Sequence, residues 1–291
     1  MKFALIAHPD KYKVGPPLQA VMQWCRENKA TCFASKNVVD AAGINKPDSS
    51  LLRITGDDNE AVGSADVLLA VGGDGTMLYS AQLIRGREMP VLGINCGRLG
   101  FMANIHQDRI DESLTAVKKG EYRVDNRSML EASVNSGETW YALNEFLFTK
   151  KDTTSLLNLT ARYDDQLINR YWADGLLVAS PTGSTAYNLS TGGPIVMPGT
   201  PVMVLTPINP HTLTTRPLVL PSGKSLTIRI DENPEHVLCS NDGRIMQIDA
   251  DPIEIRVKKS KHSVQLVQLK EQNYFDTLRN KLMWGRDTRE T

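Results

Sequence analysis

The fold of the first part of the chain is decided by the stretch Asp66-Val67-Leu68-Leu69-Ala70-Val71-Gly72-Gly73-Asp74-Gly75-Thr76. Its first six residues are almost all apolar and rich in Val and Leu, which predicts a buried strand. The glycines at positions 72, 73 and 75 let the backbone pass close to a ligand. Apolar residues then recur at positions 77, 81 and 84 with helical spacing. We therefore expect a buried strand, a glycine-rich loop and a helix in direct succession.

The segments on either side repeat this alternation of strand and helix. Phe3–Ala7 and Pro90–Ile94 are short apolar runs that predict buried strands, and Pro16 is expected to open a helix. A second helical stripe runs from Ile110 and should end at Gly120. Because strands and helices alternate, we expect residues 1–125 to form an α/β domain around a parallel sheet.

Residues 126–270 have a different hydrophobic pattern. Apolar and polar residues alternate in several runs separated by turn residues, which predicts an all-β, antiparallel sandwich domain. The runs are Leu130–Val134, Leu157–Tyr163, Leu226–Ile230, Ile253–Val257 and Val264–Leu269, with a turn at Asn241-Asp242-Gly243. Residues 271–291 show helical spacing from Tyr274 to Trp284. We expect this C-terminal helix to pack back on the first domain.

The composition excludes several classes of function. Lys plus Arg and Asp plus Glu each number 33 among 291 residues, so the formal net charge is zero. A general nucleic-acid binder needs a basic excess, and we therefore expect no nucleic-acid partner. No apolar run is long enough to span a bilayer, so we expect no membrane partner. The four cysteines form no C-x-x-C pair, which favours a reducing cytoplasm.

The glycine-rich loop is typical of a phosphate site. Gly72, Gly73, Gly75 and Thr76 would present backbone N–H groups at a helix start, which favours phosphate oxygens, although a tight turn without a ligand is the alternative. The carboxylate of Asp74 would repel phosphate there. It makes sense if it accepts a proton from an attacking hydroxyl or helps to hold a phosphate-bound metal ion. The spacing fits neither the dinucleotide-binding fingerprint nor a P-loop.

Three further stretches carry candidate binding residues. The loop within Gly93–Phe101 follows the next predicted strand, so in a parallel sheet it would meet the first loop. Asn144-Glu145 could bind the vicinal hydroxyls of a ribose or a cation, with a solvated strand end as the alternative. Asp174–Pro194 runs from a buried strand into many Ser, Thr and Gly residues, which supply hydrogen-bonding groups with little bulk. Tyr187 within it could stack on a base.

Other chemistries have little support in the sequence. The histidines are scattered, with no H-E-x-x-H motif and no Cys/His pair, which argues against a zinc centre. Ser184 lacks the G-x-S-x-G context of a hydrolase nucleophile. His211 stands in a rigid Pro-rich segment, and there a structural histidine is the alternative to a ligand-binding one.

Taken together, these motifs resemble the NAD kinase family, within a wider group that includes diacylglycerol and sphingosine kinases. The loop at 72–76 resembles the loop shared by the wider group. The NAD kinase branch is indicated by Asn95-x-Gly97-x-Leu99-Gly100-Phe101, Asn144-Glu145, Asp174-Gly175, Thr182-Gly183-Ser184-Thr185-Ala186-Tyr187 and Pro210-His211-Thr212-Leu213. The resemblance implies a Rossmann-like α/β N-terminal domain, an all-β C-terminal sandwich and a final helix that returns to the first domain.

The resemblance also implies an ATP-dependent NAD kinase, which transfers the γ-phosphate of ATP to the 2′-hydroxyl of the adenosine ribose of NAD and makes NADP. It implies a divalent cation, Mg²⁺, and a homodimer or homotetramer. Asp74 would be the catalytic base, and the phosphates would face Gly72, Gly73, Gly75 and Thr76. The residues that would bind NAD are Asp74, Gly75, Phe101, Asn144, Glu145, Asp174, Thr185, Ala186, Tyr187, Asn188, Leu189 and Ser190.

Two places depart from the family pattern. Trp172 stands where some members carry a basic residue, and the segment around Arg244 is less similar to the family; both are further candidate site residues. Two other functions stay open. A lipid or sphingoid-base kinase would need an apolar channel, whereas residues 180–193 are polar, and a non-catalytic NAD(P)-sensing module would have no need of Asp74.

Overall fold

The computed structural model describes residues 1–8, 11–44, 48–97, 99–135, 137–151, 155–248 and 252–284. The end of the predicted C-terminal segment, residues 285–291, therefore lies outside the described residues. The chain divides into two compact units. The first comprises Met1–Asn126 and Val264–Thr291, and the second comprises Arg127–Ser263. The domain boundaries expected from the sequence, at residues 125 and 270, stay a prediction.

The strands and helices follow one another in chain order. The strands are β1 (Lys2–Ala7), β2 (Thr31–Ser35), β3 (Leu52–Thr55), β4 (Val67–Gly72), β5 (Pro90–Asn95), β6 (Ile105–His106), β7 (Tyr122–Val134), β8 (Thr139–Ala142), β9 (Glu145–Lys150), β10 (Leu157–Tyr163), β11 (Gln166–Ala173), β12 (Gly175–Ala179), β13 (Val202–Ile208), β14 (Leu218–Pro221), β15 (Leu226–Ile230), β16 (Val237–Asn241), β17 (Arg244–Met246) and β18 (Ile253–Leu269). The α-helices are α1 (Lys11–Asn28), α2 (Lys36–Ala41), α3 (Asp58–Gly63), α4 (Asp74–Leu83), α5 (Ile110–Lys119), α6 (Tyr187–Ser190) and α7 (Tyr274–Leu282). Among the described residues, every helix is too short or too polar to cross a membrane.

A parallel sheet forms the centre of the first unit. Its strands lie in the order β3-β2-β1-β4-β5, and each neighbouring pair is parallel. Beyond β5, the C-terminal part of β18 adds a further parallel strand through Gln265 and Leu266. The chain steps outwards from β1 to β3 and then returns to the other side of β1, so the strand order reverses between β1 and β4. In open α/β sheets this switch point is where ligands bind, beyond the carboxyl ends of the strands.

Helices α1 and α5 bury their apolar stripes against this sheet. Val14 and Leu18 of α1 and Leu114 of α5 are fully buried with Leu69 and Val71 of β4. The same stripe explains a wrong prediction. We expected Pro16 to open the first helix, but α1 begins at Lys11 and contains Pro16 within it. Val14 already belongs to the buried stripe, so burial extends the helix upstream although a proline there removes one backbone hydrogen bond.

The C-terminal helix α7 belongs to the first unit. The side chain of Asn273 accepts a hydrogen bond from the N–H of Asp276 and so caps the helix. Leu278 is its buried anchor. Before the helix, Gln272 donates a hydrogen bond to the carbonyl of Asn104, which fixes the segment to the N-terminal part of the chain.

The second unit consists of two antiparallel sheets. One contains β11-β10-β15-β18 together with β7 and β8, and the other has the order β14-β13-β12-β9-β16-β17. Leu159 and Ile228 of the first sheet share one core with Phe146, Phe148 and Leu176 of the second. The unit is therefore a sandwich. The predicted fold class, an α/β unit with a parallel sheet, a β-sandwich and a C-terminal helix, is confirmed.

One strand of the sandwich differs from its prediction. The runs Ile253–Val257 and Val264–Leu269 were expected as two strands, but β18 is continuous from Ile253 to Leu269. The alternation between buried and exposed residues slips at Lys258 and Lys259, which are both exposed. Because polar side chains of a strand can point to solvent, the backbone continues through this polar stretch without a turn.

Candidate functional site

The glycine-rich loop joins the end of β4 to the start of α4, at the switch point of the sheet. Gly72 is required by the fold, because a Cβ there would lie 2.2 Å from Oγ1 of Thr76. Gly73, Gly75 and Gly97 are different: none has a positive φ, and a Cβ on any of them would meet no atom of the described residues within 4 Å. Packing and backbone conformation therefore leave these three glycines unexplained. A ligand that approaches the backbone closely would explain them.

The carboxylate of Asp74 ties this loop to the loop that follows β5. Its Oδ1 accepts hydrogen bonds from the N–H groups of Met102 and Ala103, both at 3.0 Å. Its Oδ2 accepts one from the N–H of Phe101 at 2.9 Å. An ionised carboxylate has about four lone-pair sites, so one site on Oδ2 is left for another donor. Asp74 forms no ion pair with any residue in the described ranges.

Asn95 and Gly100 shape the second loop around this carboxylate. The buried side chain of Asn95 accepts a hydrogen bond from the N–H of Gly97 at 2.7 Å and donates one to the carbonyl of Ala103 at 3.1 Å. At Gly100, a Cβ would lie 2.1 Å from Oδ1 of Asp74. Within the motif at 95–101, Asn95, Gly100 and Phe101 are thus explained by the need to hold one aspartate.

A pocket of about 210 Å³ lies beside the two loops. Its lining includes His8 at the end of β1, Lys13 of α1, and Gly72, Gly73 and Gly97 of the loops. A lysine ammonium and glycine backbone without side-chain bulk suit a phosphate group. Thr76 is buried in α4, and its Oγ1 lies against Gly72. The predicted phosphate residues Gly72 and Gly73 therefore line the pocket, while Thr76 supports the loop from behind.

Phe101 is partly exposed at the far end of the second loop. The Nζ atom of Lys281, in α7, lies 5.9 Å from the centroid of its ring. This is a cation–π contact, and it connects the C-terminal helix to the loop that binds Asp74.

In the second unit, Asn144 and Glu145 are held by a residue that the sequence did not identify. Oδ2 of Asp242 accepts the N–H of Leu143 at 2.7 Å, and its Oδ1 accepts the N–H groups of Asn144 at 2.8 Å and Glu145 at 3.2 Å. Asn241-Asp242-Gly243 reads only as a turn, and positive φ values at Asp242 and Gly243 confirm that turn. No local pattern reveals a contact to residues nearly 100 positions earlier.

Glu145 is a buried carboxyl group with a raised pKa. Its Oε2 is buried and has no hydrogen-bond partner among the described residues. Burial, with the nearby charge of Asp242, raises the pKa of Glu145 to about 8. Burial also raises the pKa of Asp242. The three N–H donors and Arg244 act in the opposite direction, because they favour the ionised form, but burial has the larger effect. The raised pKa favours the neutral form of Glu145 at neutral pH, and that form can donate a hydrogen bond.

Asp174 lies between β11 and β12 with its carboxylate already bonded. Oδ1 forms an ion pair with Nζ of Lys150 at 2.7 Å, and Oδ2 accepts a hydrogen bond from Asn209 at 3.0 Å. These two hydrogen bonds lower the pKa of Asp174. Gly175 is required by strand packing, since a Cβ would lie 2.3 Å from the carbonyl oxygen of Phe148. The Asp-Gly motif therefore has a structural role whether or not it also contacts a ligand.

The segment after β12 forms a 3-10 turn at Gly183–Thr185 and then α6. Asn188 is fully buried: its amide donates to the carbonyls of Ser184 and Pro194 and its Oδ1 accepts from Thr206. It holds the loop together, and a contact between its side chain and NAD stays a prediction that this burial does not favour. Thr185, Ala186, Tyr187, Leu189 and Ser190 are at least partly exposed, with Tyr187 at 44%.

Trp172 and Arg244 lie in different parts of the second unit. Trp172, in β11, is 61% exposed, and its ring packs edge-on against His211 at 6.4 Å between centroids. The structural and the ligand-binding alternatives for His211 both stay predictions. Arg244 is an exposed residue at the start of β17, two positions after Asp242.

The described residues contain no group of three or more His, Cys, Asp or Glu side chains that could hold a metal ion. Mg²⁺ keeps several waters and is commonly bound through one or two carboxylates and the phosphates of a substrate. The donor set therefore fits a cation that arrives bound to a nucleotide better than one held by a dedicated protein cage.

Comparison with known proteins agrees with these features. Residues 5–122 match the ATP-NAD kinase N-terminal domain, and residues 143–269 match the ATP-NAD kinase C-terminal domain. The chain is 37% identical to an NAD kinase of Cytophaga hutchinsonii over 99% of this chain and 100% of that protein. It is 40% identical to an NAD kinase of Porphyromonas gingivalis over 76% of each chain.

Two solved structures share the fold. The crystal structure of yeast NADH kinase complexed with NADH superimposes with a TM-score of 0.90 at 25% identity, covering 100% of this chain and 89% of that one. An NAD kinase from Archaeoglobus fulgidus in complex with ATP superimposes with a TM-score of 0.74 at 23% identity over 97% of this chain and 99% of that one. The glycine loop, the bound aspartate and both domain matches place this chain in the ATP-NAD kinase family.

Proposed function

We propose that this protein transfers the γ-phosphate of ATP to the 2′-hydroxyl of the adenosine ribose of NAD and releases NADP and ADP. Family membership and the match to the Cytophaga hutchinsonii NAD kinase over its whole length support the kinase activity. The transfer to a ribose hydroxyl is supported by the carboxylate of Asp74. Three backbone N–H groups fix this carboxylate, and one lone-pair site of Oδ2 is left for a hydroxyl donor.

Asp74 acts in this proposal as the general base. A ribose hydroxyl donates a hydrogen bond to Oδ2 and passes its proton to the carboxylate as its oxygen attacks the γ-phosphorus. The bond between that phosphorus and the bridging oxygen breaks, and ADP leaves with the bridging oxygen. Because phosphoryl transfer needs mainly positioning and charge stabilisation, a carboxylate held at one orientation suits the step.

The phosphates of ATP are assigned to the 210 Å³ pocket. The backbone at Gly73 and Gly97 leaves room for phosphate oxygens, and Lys13 supplies a positive charge at the same pocket. Gly75 does not line this pocket, but its backbone is equally open. A Mg²⁺ ion bound to ATP would supply the neutralisation of phosphate charge. Asp74 repels free phosphate, so the carboxylate also favours a phosphate chain that arrives with its cation.

Residues of each unit are proposed for NAD binding. Glu145, neutral below about pH 8, donates a hydrogen bond to the adenosine part of NAD, where Asn144 adds an amide. Phe101, Tyr187 and the partly exposed Thr185, Ala186, Leu189 and Ser190 complete the assignment. Asp174 contributes to NAD binding through the loop that it fixes. Trp172 and Arg244 remain further candidates.

We propose a cytoplasmic homodimer or homotetramer as the working form. Self-association is what the resemblance to the NAD kinase family implies. Sedimentation equilibrium of the purified protein tests this directly, and a monomer at micromolar concentration would contradict it.

The activity is tested by incubating the purified protein with NAD, ATP and Mg²⁺ and measuring NADP with an NADP-specific dehydrogenase. We expect NADP to accumulate only when all three are present. Parallel reactions with diacylglycerol or sphingosine as acceptor test the lipid-kinase alternative. Binding of NAD without any NADP would instead show a sensing module.

A further inference from the structure

A second pocket of about 490 Å³ adjoins the phosphate pocket in the same unit. Both pockets share His8, at the carboxyl end of β1. The second pocket lies over the ends of β1, β2 and β3, and its polar lining residues besides His8 are Asn37, Asp40 and Asp58. Its volume lies in the usual range for a small-molecule site.

The carboxylates of this pocket are incompletely bonded. Oδ2 of Asp58 accepts a hydrogen bond from the hydroxyl of Tyr79 at 2.9 Å. Oδ1 of the same residue is buried and has no partner among the described residues. Asp40 is exposed, and its carboxylate bonds to none of the residues that the structure describes. Asp40 and Asp58 both line the pocket, and an ionised carboxylate has about four acceptor sites, more than the described residues occupy on either side chain.

The charge of the lining determines which part of a nucleotide fits. Two carboxylates repel phosphate, so the phosphates belong in the neighbouring pocket with Lys13 and the glycines. A ribose offers two vicinal hydroxyl donors to carboxylate acceptors. Asn37 carries an amide of the kind that pairs with adenine, and Val38 and Ala41 supply apolar surface for the base.

The sheet topology gives the two pockets the right spacing. The loop after β4 and the loop after β2 are separated by β1, so they lie two strand spacings apart, about 10 Å. A triphosphate chain bridges such a distance. In open α/β sheets, ligands lie in the crevice outside the carboxyl ends of the strands, at the switch point.

We infer that the pocket formed by His8, Asn37, Asp40 and Asp58 binds the nucleoside of the phosphate donor, with Asp40 and Asp58 accepting hydrogen bonds from its ribose hydroxyls. This assignment rests on the proposed function, because it takes ATP as the donor. It gives a role to residues of the N-terminal region that carry no family motif.

The test compares Asp40→Asn and Asp58→Asn with the control Glu88→Gln, which removes an exposed charge of the same unit outside the pocket. We expect each pocket variant to raise the KM for ATP about tenfold or more, the usual effect of losing a hydrogen bond to a charged group. The KM for NAD and kcat should stay within about twofold. With 2′,3′-dideoxy-ATP as donor, which lacks both ribose hydroxyls, the KM of the wild type for the donor should already be raised. The two pocket variants should raise that KM little further. Thermal melts check that Asp58→Asn folds. Because Asp40 is exposed, Asp40→Asn should fold normally and so provides a second variant.

A separate binding measurement distinguishes this inference from the proposed function. Calorimetry with β,γ-imido-ATP and Mg²⁺ should show weaker binding to both pocket variants than to Glu88→Gln. If binding weakens in this way but no variant and no wild type makes NADP, the pocket assignment stands and the NAD kinase proposal fails. If NADP forms with an unchanged KM for ATP in both pocket variants, the assignment is overturned.

Discussion

Replacing Asp74 by Asn tests the base and the loop at the same time, so its effects must be separated. Oδ1 of Asp74 accepts two N–H groups and Oδ2 accepts one. In Asp74→Asn, the amide oxygen can keep the two bonds to Met102 and Ala103, but the NH₂ group then faces the N–H of Phe101. One charge-assisted hydrogen bond is lost, which costs about 1.5–3 kcal/mol. At about 2–4 °C per kcal/mol, we expect a Tm lower by roughly 3–12 °C.

The catalytic effect should be much larger than this structural one. Loss of a general base lowers kcat on the order of 10²–10⁴-fold, whereas NAD binding should change only a few-fold, because the hydroxyl can still meet an amide. The assay is steady-state NADP formation, with NAD affinity from calorimetry and Tm from circular dichroism.

Asn95→Ala is the matched control, since it loosens the same loop and leaves the carboxylate in place. It removes the bonds to Gly97 and Ala103, so its Tm should fall by an amount similar to that in Asp74→Asn, while kcat stays within about tenfold of wild type. Equal loss of turnover in the two variants would show that loop order, and not proton transfer, explains Asp74. Full activity of Asp74→Asn would remove it from the chemistry altogether.

Two further predictions concern the glycine loop and Glu145. Gly73→Ala has open space for its methyl group, so its Tm should stay within about 1 °C of wild type while its KM for ATP rises at least tenfold. Gly72→Ala should lower Tm, because its methyl group collides with Thr76. An unchanged KM for ATP in Gly73→Ala would refute the assignment of the phosphates to this loop. Glu145 has a folded-state pKa of about 8, above its ordinary value of 4.5, so it binds a proton on folding and stability falls as pH rises through that window. Glu145→Gln should therefore raise Tm by several degrees at about pH 9 and not at about pH 4.5, and it should weaken NAD binding; equal Tm values at both pH values would contradict the buried, protonated carboxyl group.

Much of the fold could be predicted from the sequence because its signals are local. The apolar run of β4, the stripe of α5 and the αL residue Gly120 at its end all follow from neighbouring residues. The continuity of β18 does not follow from neighbouring residues, because its polar middle resembles a loop. The start of α1 could not be predicted from neighbouring residues either, since burial of Val14 outweighs the usual preference for proline at a helix start.

The candidate site was predictable in part for the same reason. Asp74 was recognised as an anomaly within a glycine loop, but its three bonds to residues 101–103 depend on how two loops meet. Asp242 was read as a turn residue because its partners at 143–145 lie far away in the chain. Asn37, Asp40 and Asp58 belong to no motif, and only the sheet order brings them to one pocket.

A structure of the protein with NAD, Mg²⁺ and β,γ-imido-ATP tests the role of Asp74 most directly. We predict that Oδ2 of Asp74 lies about 2.6–3.2 Å from the 2′-hydroxyl oxygen of the adenosine ribose, the reach of a general base. A 2′-hydroxyl more than about 5 Å from that carboxylate, or one bonded instead to another side chain, would contradict the mechanism.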